Sequence, residues 1–174
     1  MTNGDVMSNS NFLEFSKPFI DAAKNVFETM VFTKLEPGKP QVKKGNLSQG
    51  DVSAVLGLSG TLNKDGVERD YRAMLVISFP YATYLKVASA MLMEEYTEFN
   101  EDIRDVGGEI CNMIMGNAKR DLAGMGYTSN MAIPSIIEGS NHTIKYPEGT
   151  TVILIPLTSA HGPMYVELCY SEAE

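Results

Sequence analysis

An acid and an amide stand three residues apart in the second half of the chain, at Glu109 and Asn112. On an α-helix this spacing makes the two side chains neighbours, with Cβ atoms about 5–6 Å apart. A carboxylate contributes negative charge and acceptors, whereas an amide both donates and accepts hydrogen bonds, so the pair is able to work together on one bound group. The same spacing is also common on a solvated helix surface, and both interpretations stay open at this point.

The surrounding segment, 100–122, has the pattern of a helix with two different faces. Asn100 is suited to cap its N-terminus, and Glu101 and Asp102 place negative charge in the first turn, where the helix dipole favours it. Apolar residues recur at helical spacing along one side, at Ile103, Val106, Ile110, Met113 and Ile114. The other side carries polar or small residues within an arc of about 60°, at Asp105, Glu109, Asn112 and Gly116.

Two adjacent glycines, Gly107 and Gly108, lie inside this helical pattern. Each costs about 1 kcal/mol relative to alanine in a helix interior. A glycine at such a position lets another surface come closer than a Cβ atom would allow. The glycines are therefore interpreted either as sites of tight helix packing or as sites where a partner approaches the backbone.

The motif Asp105-x-x-x-Glu109-x-x-Asn112, which continues into Gly116-Asn117-Ala118 and is followed by Pro134, resembles the signature of the CheC/CheX/FliY family of chemotaxis phosphatases. The resemblance covers most of the chain, and it is specific at the Glu-x-x-Asn helix. The single copy of the motif, the chain length and the N-terminal segments 18–20 and 26–30 are similar to the CheX branch.

This resemblance implies a protein substrate, namely a CheY-type response regulator that carries phosphate on an aspartate and has Mg²⁺ bound. Hydrolysis of such an acyl phosphate requires a water in line with the P–O bond, while the regulator's own Mg²⁺ and lysine neutralise charge. An amide orients that water without adding negative charge beside the phosphoryl group. The resemblance thus implies that Asn112 positions the water and that Glu109 anchors the regulator through its active-site lysine.

The remaining residues of this face are assigned to partner contact. Asp105 lies one turn before Glu109, where it is expected to hold a polar or cationic group at the rim. Gly107, Gly108 and Gly116 are expected to let the partner's surface come near the backbone. No metal or cofactor is expected on this chain, because its two histidines and two cysteines lack ligand spacing. Mg²⁺ would be supplied by the response regulator.

A binding module is the alternative to an enzyme. Members of the same fold family are built into the flagellar switch, so a related domain could bind a phosphorylated regulator without hydrolysing it. A scaffold formed by strand pairing across sheet edges is compatible with either function. The intact Glu109–Asn112 pair favours the phosphatase. The resemblance also implies a homodimer.

Composition restricts the classes of partner. The chain has 174 residues, of which 44% are hydrophobic, and its formal net charge is −8. These values predict one domain over residues 11–174 and argue against binding to nucleic acid or to anionic membrane surfaces. Residues 1–10 are polar and are expected to form a disordered tail rather than a signal peptide. The cytoplasm is the expected location.

The order of the elements predicts an α+β fold with helices packed on one large, mostly antiparallel sheet. Helices are expected at 11–34, 81–96 and 100–122, and strands at 51–62, 71–79, 135–137, 142–146, 151–157 and 164–170. Residues 63–66, Asn-Lys-Asp-Gly, are expected to form the turn between the first two strands. Each half of the chain has a long helix followed by a hairpin, which indicates an internal pseudo-duplication. Aligning Asn25 with Asn112 places Ala22 where Glu109 stands, so the first helix is predicted to keep the amide without the acid.

Overall fold

The structure, a computed structural model, describes the backbone of residues 3–172 and the side chains of residues 12–172. Its first helix begins at Asn3, earlier than the predicted start at Asn11. Residues 1 and 2 and the side chains of residues 3–11 lie outside the described part of the chain. The disordered tail over residues 1–10 therefore stays a prediction.

Within the described residues the chain forms three helices and eight strands. The helices are α1 (Asn3–Met30), α2 (Tyr81–Leu92) and α3 (Val106–Gly124). The strands are β1 (Glu36–Pro37), β2 (Gln41–Val42), β3 (Val52–Lys64), β4 (Val67–Phe79), β5 (Asn130–Met131), β6 (Ser135–Glu138), β7 (Val152–Ser159) and β8 (Gly162–Glu172).

All of these strands belong to one antiparallel sheet in the order β1-β7-β8-β4-β3-β5, with β2 also on β7 and β6 also on β3. The two long hairpins, β3–β4 and β7–β8, meet where β4 pairs with β8. Each hairpin comes after a long helix, α1 or α3, so the centre of the sheet has the predicted pseudo-duplicated order. The α+β fold is confirmed.

The helices are held on the sheet by a continuous apolar core. Phe15, Phe19 and Phe27 of α1 are completely buried and belong to the same core as Leu75 of β4 and Leu168 of β8. Burial of each such side chain contributes about 1.5–3 kcal/mol. The helical spacing of the α1 phenylalanines and the alternation along the strands therefore both point to one face of the sheet.

The turn between β3 and β4 is confirmed at the predicted place. Lys64 pairs with Val67, which leaves a two-residue loop. Its residues, Asp65 and Gly66, have φ values of 54° and 77°. An Asp-Gly pair with positive φ at both positions suits the twist of a hairpin.

The predicted strand at 142–146 is wrong. The segment forms a loop, with Thr143 in one isolated bridge to Leu47. The side chain of His142 instead bonds to Ser53 Oγ through Nε2 at 2.7 Å. The backbone of the segment bonds to residues 46–48, outside the eight strands, and the His142 side chain attaches it to β3.

A buried ion pair lies close to this loop. Lys43 Nζ is 3.0 Å from the carboxylate of Glu167, and the two side chains are 2% and 0% exposed. Lys43 also bonds to the hydroxyl of Tyr146 at 3.2 Å. These contacts attach the segments around Lys43 and Tyr146 to β8.

Candidate functional site

Helix α3 begins at Val106, later than the sequence predicted. The side chain of Asn100 accepts a hydrogen bond from the Asp102 N–H at 2.9 Å. Asn100 therefore closes a turn over residues 101–105 and does not cap the helix. Asp105 immediately precedes α3, and its carboxylate makes no capping hydrogen bond within the described residues.

The predicted polar face of α3 is exposed at all four of its positions, Asp105, Glu109, Asn112 and Gly116. Ile110 and Ile114 on the other side are buried in the core. Within residues 12–172, the side chains of Glu109 and Asn112 make no hydrogen bond or ion pair. The acid and the amide are therefore available to a molecule outside the chain.

Tyr84 of α2 fixes the start of α3. Its buried phenolic oxygen accepts a hydrogen bond from the Gly107 N–H at 2.9 Å. The same hydroxyl is placed to donate to the carbonyls of Ile103 and Arg104, at 2.7 and 2.8 Å. Burial raises the pKa of Tyr84 to about 12, so the hydroxyl keeps its proton at neutral pH. Tyr84 thus satisfies one of the N–H groups that a helix start leaves unpaired.

Gly107 makes room for this tyrosine. A Cβ atom at Gly107 would lie 3.3 Å from Tyr84 Cε2 and 3.5 Å from Ile136 Cδ1. Gly107 is buried, so the sequence-based assignment of Gly107 to partner contact is corrected to packing within the chain. The absence of a Cβ at Gly107 leaves room for Tyr84 of α2 and Ile136 of β6, and not for an outside surface.

The other two glycines of the motif have more open surroundings. A Cβ at Gly108 would make ordinary contacts of 3.7 Å with Ile136 Cδ1 and Pro134 Cβ. No described atom lies within 4 Å of a Cβ built on Gly116. Partner contact at Gly108 and Gly116 stays a prediction.

Helix α1 does not repeat the acid–amide pair. Asn25 is exposed, but Ala22, at the position aligned with Glu109, is buried in the core. The two halves of the chain therefore differ at the surface where α3 carries its acid, and the candidate site belongs to α3.

Sequence reasoning missed Tyr84. Its helical spacing within 81–96 is typical of a core residue, and its ring is buried as such. Its hydrogen bond to Gly107 spans 23 residues and depends on how α2 packs against α3. Gly107, a glycine inside a helical pattern, was the one feature of the sequence that indicated close approach of a bulky group to the α3 backbone.

Other reactive groups lie away from this face. Burial raises the pKa of the Cys111 thiol to about 12, so this cysteine is a core residue and a poor nucleophile. Among the described residues there is no cluster of three or more metal-ligating side chains. In the same part of the chain, no helix combines the length and apolar character needed to cross a membrane.

Comparisons with known proteins identify a family for this fold. The family model for the chemotaxis phosphatase CheX matches residues 66–158, which is more than half of the chain and includes Glu109, Asn112 and Pro134. A comparison with curated proteins found no match.

Solved structures are similar over nearly the whole chain. The chemotaxis protein CheX from Vibrio vulnificus is 34% identical, covers 91% of this chain and 99% of its own, and has a TM-score of 0.78. CheX from Desulfovibrio desulfuricans is 38% identical with the same coverage, 91% and 99%, and the same TM-score, 0.78. A CheX in complex with CheY, BeF₃ and Mg²⁺ from Borrelia burgdorferi is 27% identical, covers 92% of this chain and 98% of its own, and has a TM-score of 0.71.

The sequence motif, the fold and the family match therefore agree, and the chain belongs to the CheX family of chemotaxis phosphatases.

Proposed function

We propose that this chain accelerates hydrolysis of the aspartyl phosphate of a CheY-type response regulator. The observation that carries the proposal is the exposed Glu109–Asn112 pair, which has no hydrogen-bond or ion-pair partner among the described residues. Family membership supports the phosphatase class, and the relative from Borrelia burgdorferi that was solved with CheY, BeF₃ and Mg²⁺ supports the kind of partner.

Asn112 positions the attacking water in this proposal. Phosphoryl transfer depends mainly on positioning and on neutralising charge, and the receiver's own Mg²⁺ and lysine provide the latter. A carboxylate at this position would be repelled by the anionic phosphoryl group, whereas an amide is neutral and has both a donor and an acceptor. Asn112 therefore orients the water without being repelled by the phosphoryl group.

Glu109 anchors the receiver by pairing with its active-site lysine. Glu109 lies one turn before Asn112 on the same exposed face, so an ion pair there directs the amide towards the phosphoryl group. Asp105 contacts a polar or cationic group at the rim, and Gly108 and Gly116 leave space for the receiver's surface. Mg²⁺ arrives with the receiver, the chain acts as a homodimer, and it acts in the cytoplasm.

The test measures phosphate release from CheY-type receivers kept phosphorylated by a small-molecule donor in the presence of Mg²⁺. Wild type should accelerate release, and Asn112→Ala should lower kcat on the order of 10²-fold, because orientation of the water is lost. Glu109→Ala should chiefly raise KM, because the anchor is lost. The matched controls are Asn25→Ala and Glu28→Ala, which remove the same groups from the exposed surface of α1.

The outcomes separate the phosphatase from the binding module. Full activity of Asn112→Ala would show that Asn112 does not position the attacking water. Tight binding of a phosphorylated receiver by wild type, without faster phosphate release, would favour a non-catalytic binding module.

A further inference from the structure

The sheet edge beside α3 contains a β-bulge. Both β5 and β6 pair with β3, with Met131 opposite Leu58 and Ser135 opposite Val55. Two residues of β3 therefore lie opposite three residues of its neighbour, 132–134. An extra residue in an edge strand bends that strand and redirects a side chain.

The bulge places a run of apolar residues at the surface. Met131 and Ile133 are 41% and 91% exposed, Ala132 between them is exposed, and Pro134 is half-buried. A run of exposed apolar residues is unfavourable in water and is a sign of function. Ile133 has the largest apolar surface of the four in contact with water.

The bulge is attached to the first turn of the candidate catalytic helix. Pro134 Cβ lies 3.7 Å from the Cβ position of Gly108, and Ile136 Cδ1 approaches the same position at 3.7 Å. Ile133 and Glu109 are each one chain position from that contact. A protein of domain size that binds at Glu109 therefore also meets Ile133, because a typical interface buries roughly 800 Å² on each partner.

Charge alone gives this face little affinity for a phosphorylated protein. Asp105 and Glu109 are both acidic, the whole chain has a formal charge of −8, and the phosphoryl group is an anion. The ion pair between Glu109 and a lysine anchors the receiver at one point and chiefly gives specificity. Apolar contact, which dominates the energetics of most interfaces, is the further source of affinity that this face needs.

We infer that Ile133 is a docking residue that enters an apolar patch of the receiver domain whose phosphoryl group meets Asn112. Met131 and Pro134 lie on either side of it along the bulge. The following proline restricts Ile133 to extended conformations, so little conformational freedom is lost on binding. This inference rests on the proposed function.

The experiment compares Ile133→Ser with wild type on the CheY-type receiver that wild type binds most tightly. Binding is measured with the receiver loaded with beryllofluoride and Mg²⁺, and turnover with the receiver phosphorylated by a small-molecule donor. We expect Kd and KM to rise about tenfold, equivalent to about 1.4 kcal/mol, with kcat unchanged. Ile133→Val should keep both constants within about twofold, because it retains most of the apolar surface.

The matched control is Val67→Ser. Val67 is also a β-branched apolar residue, it is 53% exposed, and it follows the β3–β4 turn. That end of the sheet lies by the C-terminal end of α3, where a Cβ at Gly126 would meet the Asn63 carbonyl. Val67→Ser should therefore leave Kd, KM and kcat unchanged.

The outcomes distinguish the docking residue from the phosphatase itself. Normal Kd and KM in Ile133→Ser, with active wild type, would overturn the docking role and leave the phosphatase standing. Weaker binding by Ile133→Ser, with no turnover by wild type, would keep the docking role and overturn the phosphatase. A change of oligomeric state in light scattering, without a change in Kd, would show that Ile133 joins two copies of this chain and would overturn the inference. Failure of wild type to bind any CheY-type receiver would overturn both proposals.

Discussion

The phenolic oxygen of Tyr84 accepts a hydrogen bond from the backbone N–H of Gly107 at 2.9 Å, two residues before Glu109. The ring comes so close that a Cβ at Gly107 would lie 3.3 Å from Tyr84 Cε2. The Tyr84 hydroxyl on α2 thus reaches the backbone of α3 because Gly107 has no side chain. Together they set where α3 begins and how its acid and amide are presented.

Tyr84→Phe should lower both stability and turnover. Loss of the hydroxyl leaves the Gly107 N–H and the Ile103 carbonyl without this partner, which should cost about 1–3 kcal/mol in the free energy of unfolding. A shifted first turn misplaces Asn112, so kcat should fall between about tenfold and 10²-fold. Urea unfolding and phosphate release measure the two effects.

The control for Tyr84→Phe is Tyr127→Phe. The Tyr127 hydroxyl bonds to that of Tyr170 at 3.3 Å, in the aromatic cluster of the core. Tyr127→Phe should lower the free energy of unfolding while kcat stays normal. An unchanged kcat in Tyr84→Phe would show that Tyr84 contributes to the fold alone.

Alanine substitutions at two glycines of α3 should change the free energy of unfolding in opposite directions. Gly116→Ala should raise the free energy of unfolding by up to about 1 kcal/mol, because alanine favours the helix and no described atom lies within 4 Å of the added Cβ. Gly107→Ala should lower it, because the added methyl group displaces the Tyr84 ring and strains its hydrogen bond. Urea unfolding of the two variants tests this contrast, and equal stabilisation by both would contradict the packing at Gly107.

Gly108→Leu tests whether the receiver approaches the helix backbone. The surroundings of Gly108 leave ordinary contact distances of 3.7 Å, so we expect the fold to be retained. A bulky side chain beside Glu109 should nevertheless raise KM for the phosphorylated receiver by about tenfold or more, through steric exclusion. Wild-type kinetics in a folded Gly108→Leu variant would argue against partner contact there.

Removing one member of the buried ion pair should be costly. Lys43→Met leaves the carboxylate of Glu167 buried without its cation, which typically costs about 3–5 kcal/mol. Burial already raises the pKa of Glu167 against the opposing effect of Lys43, and loss of Lys43 removes that opposition. The folded variant then takes up a proton more readily than its unfolded chain, so its loss of stability should be larger at about pH 8 than at about pH 5.

The matched control is Lys17→Met at the surface. Lys17 pairs with Asp21 at the same distance, 3.0 Å, but the two side chains are 77% and 50% exposed. Exposed pairs contribute about 0–1 kcal/mol. A similar loss for Lys17→Met and Lys43→Met in urea unfolding would mean that burial does not govern the strength of the pair.

Local patterns in the sequence were sufficient for much of the fold. Helical spacing predicted the buried and exposed sides of α3, and the segment 63–66, Asn-Lys-Asp-Gly, predicted the β3–β4 turn. The start of α3 was not predicted, because Asn100 has the chemistry of a helix cap but closes a separate turn. The strand expected at 142–146 is wrong because its backbone pairs only through one isolated bridge with the loop at 46–48 and not with a strand of the sheet.

The sequence by itself determined that Glu109 and Asn112 share one exposed helix face, since that depends only on the 3.6-residue period of a helix and on the apolar residues opposite. Only the tertiary structure decided that Gly107 receives Tyr84, that Lys43 pairs with Glu167 and that the bulge carrying Ile133 lies against the same helix turn. These relationships join segments that are far apart in the chain. Their geometry follows from how the helices and strands pack, which no local pattern of residues specifies.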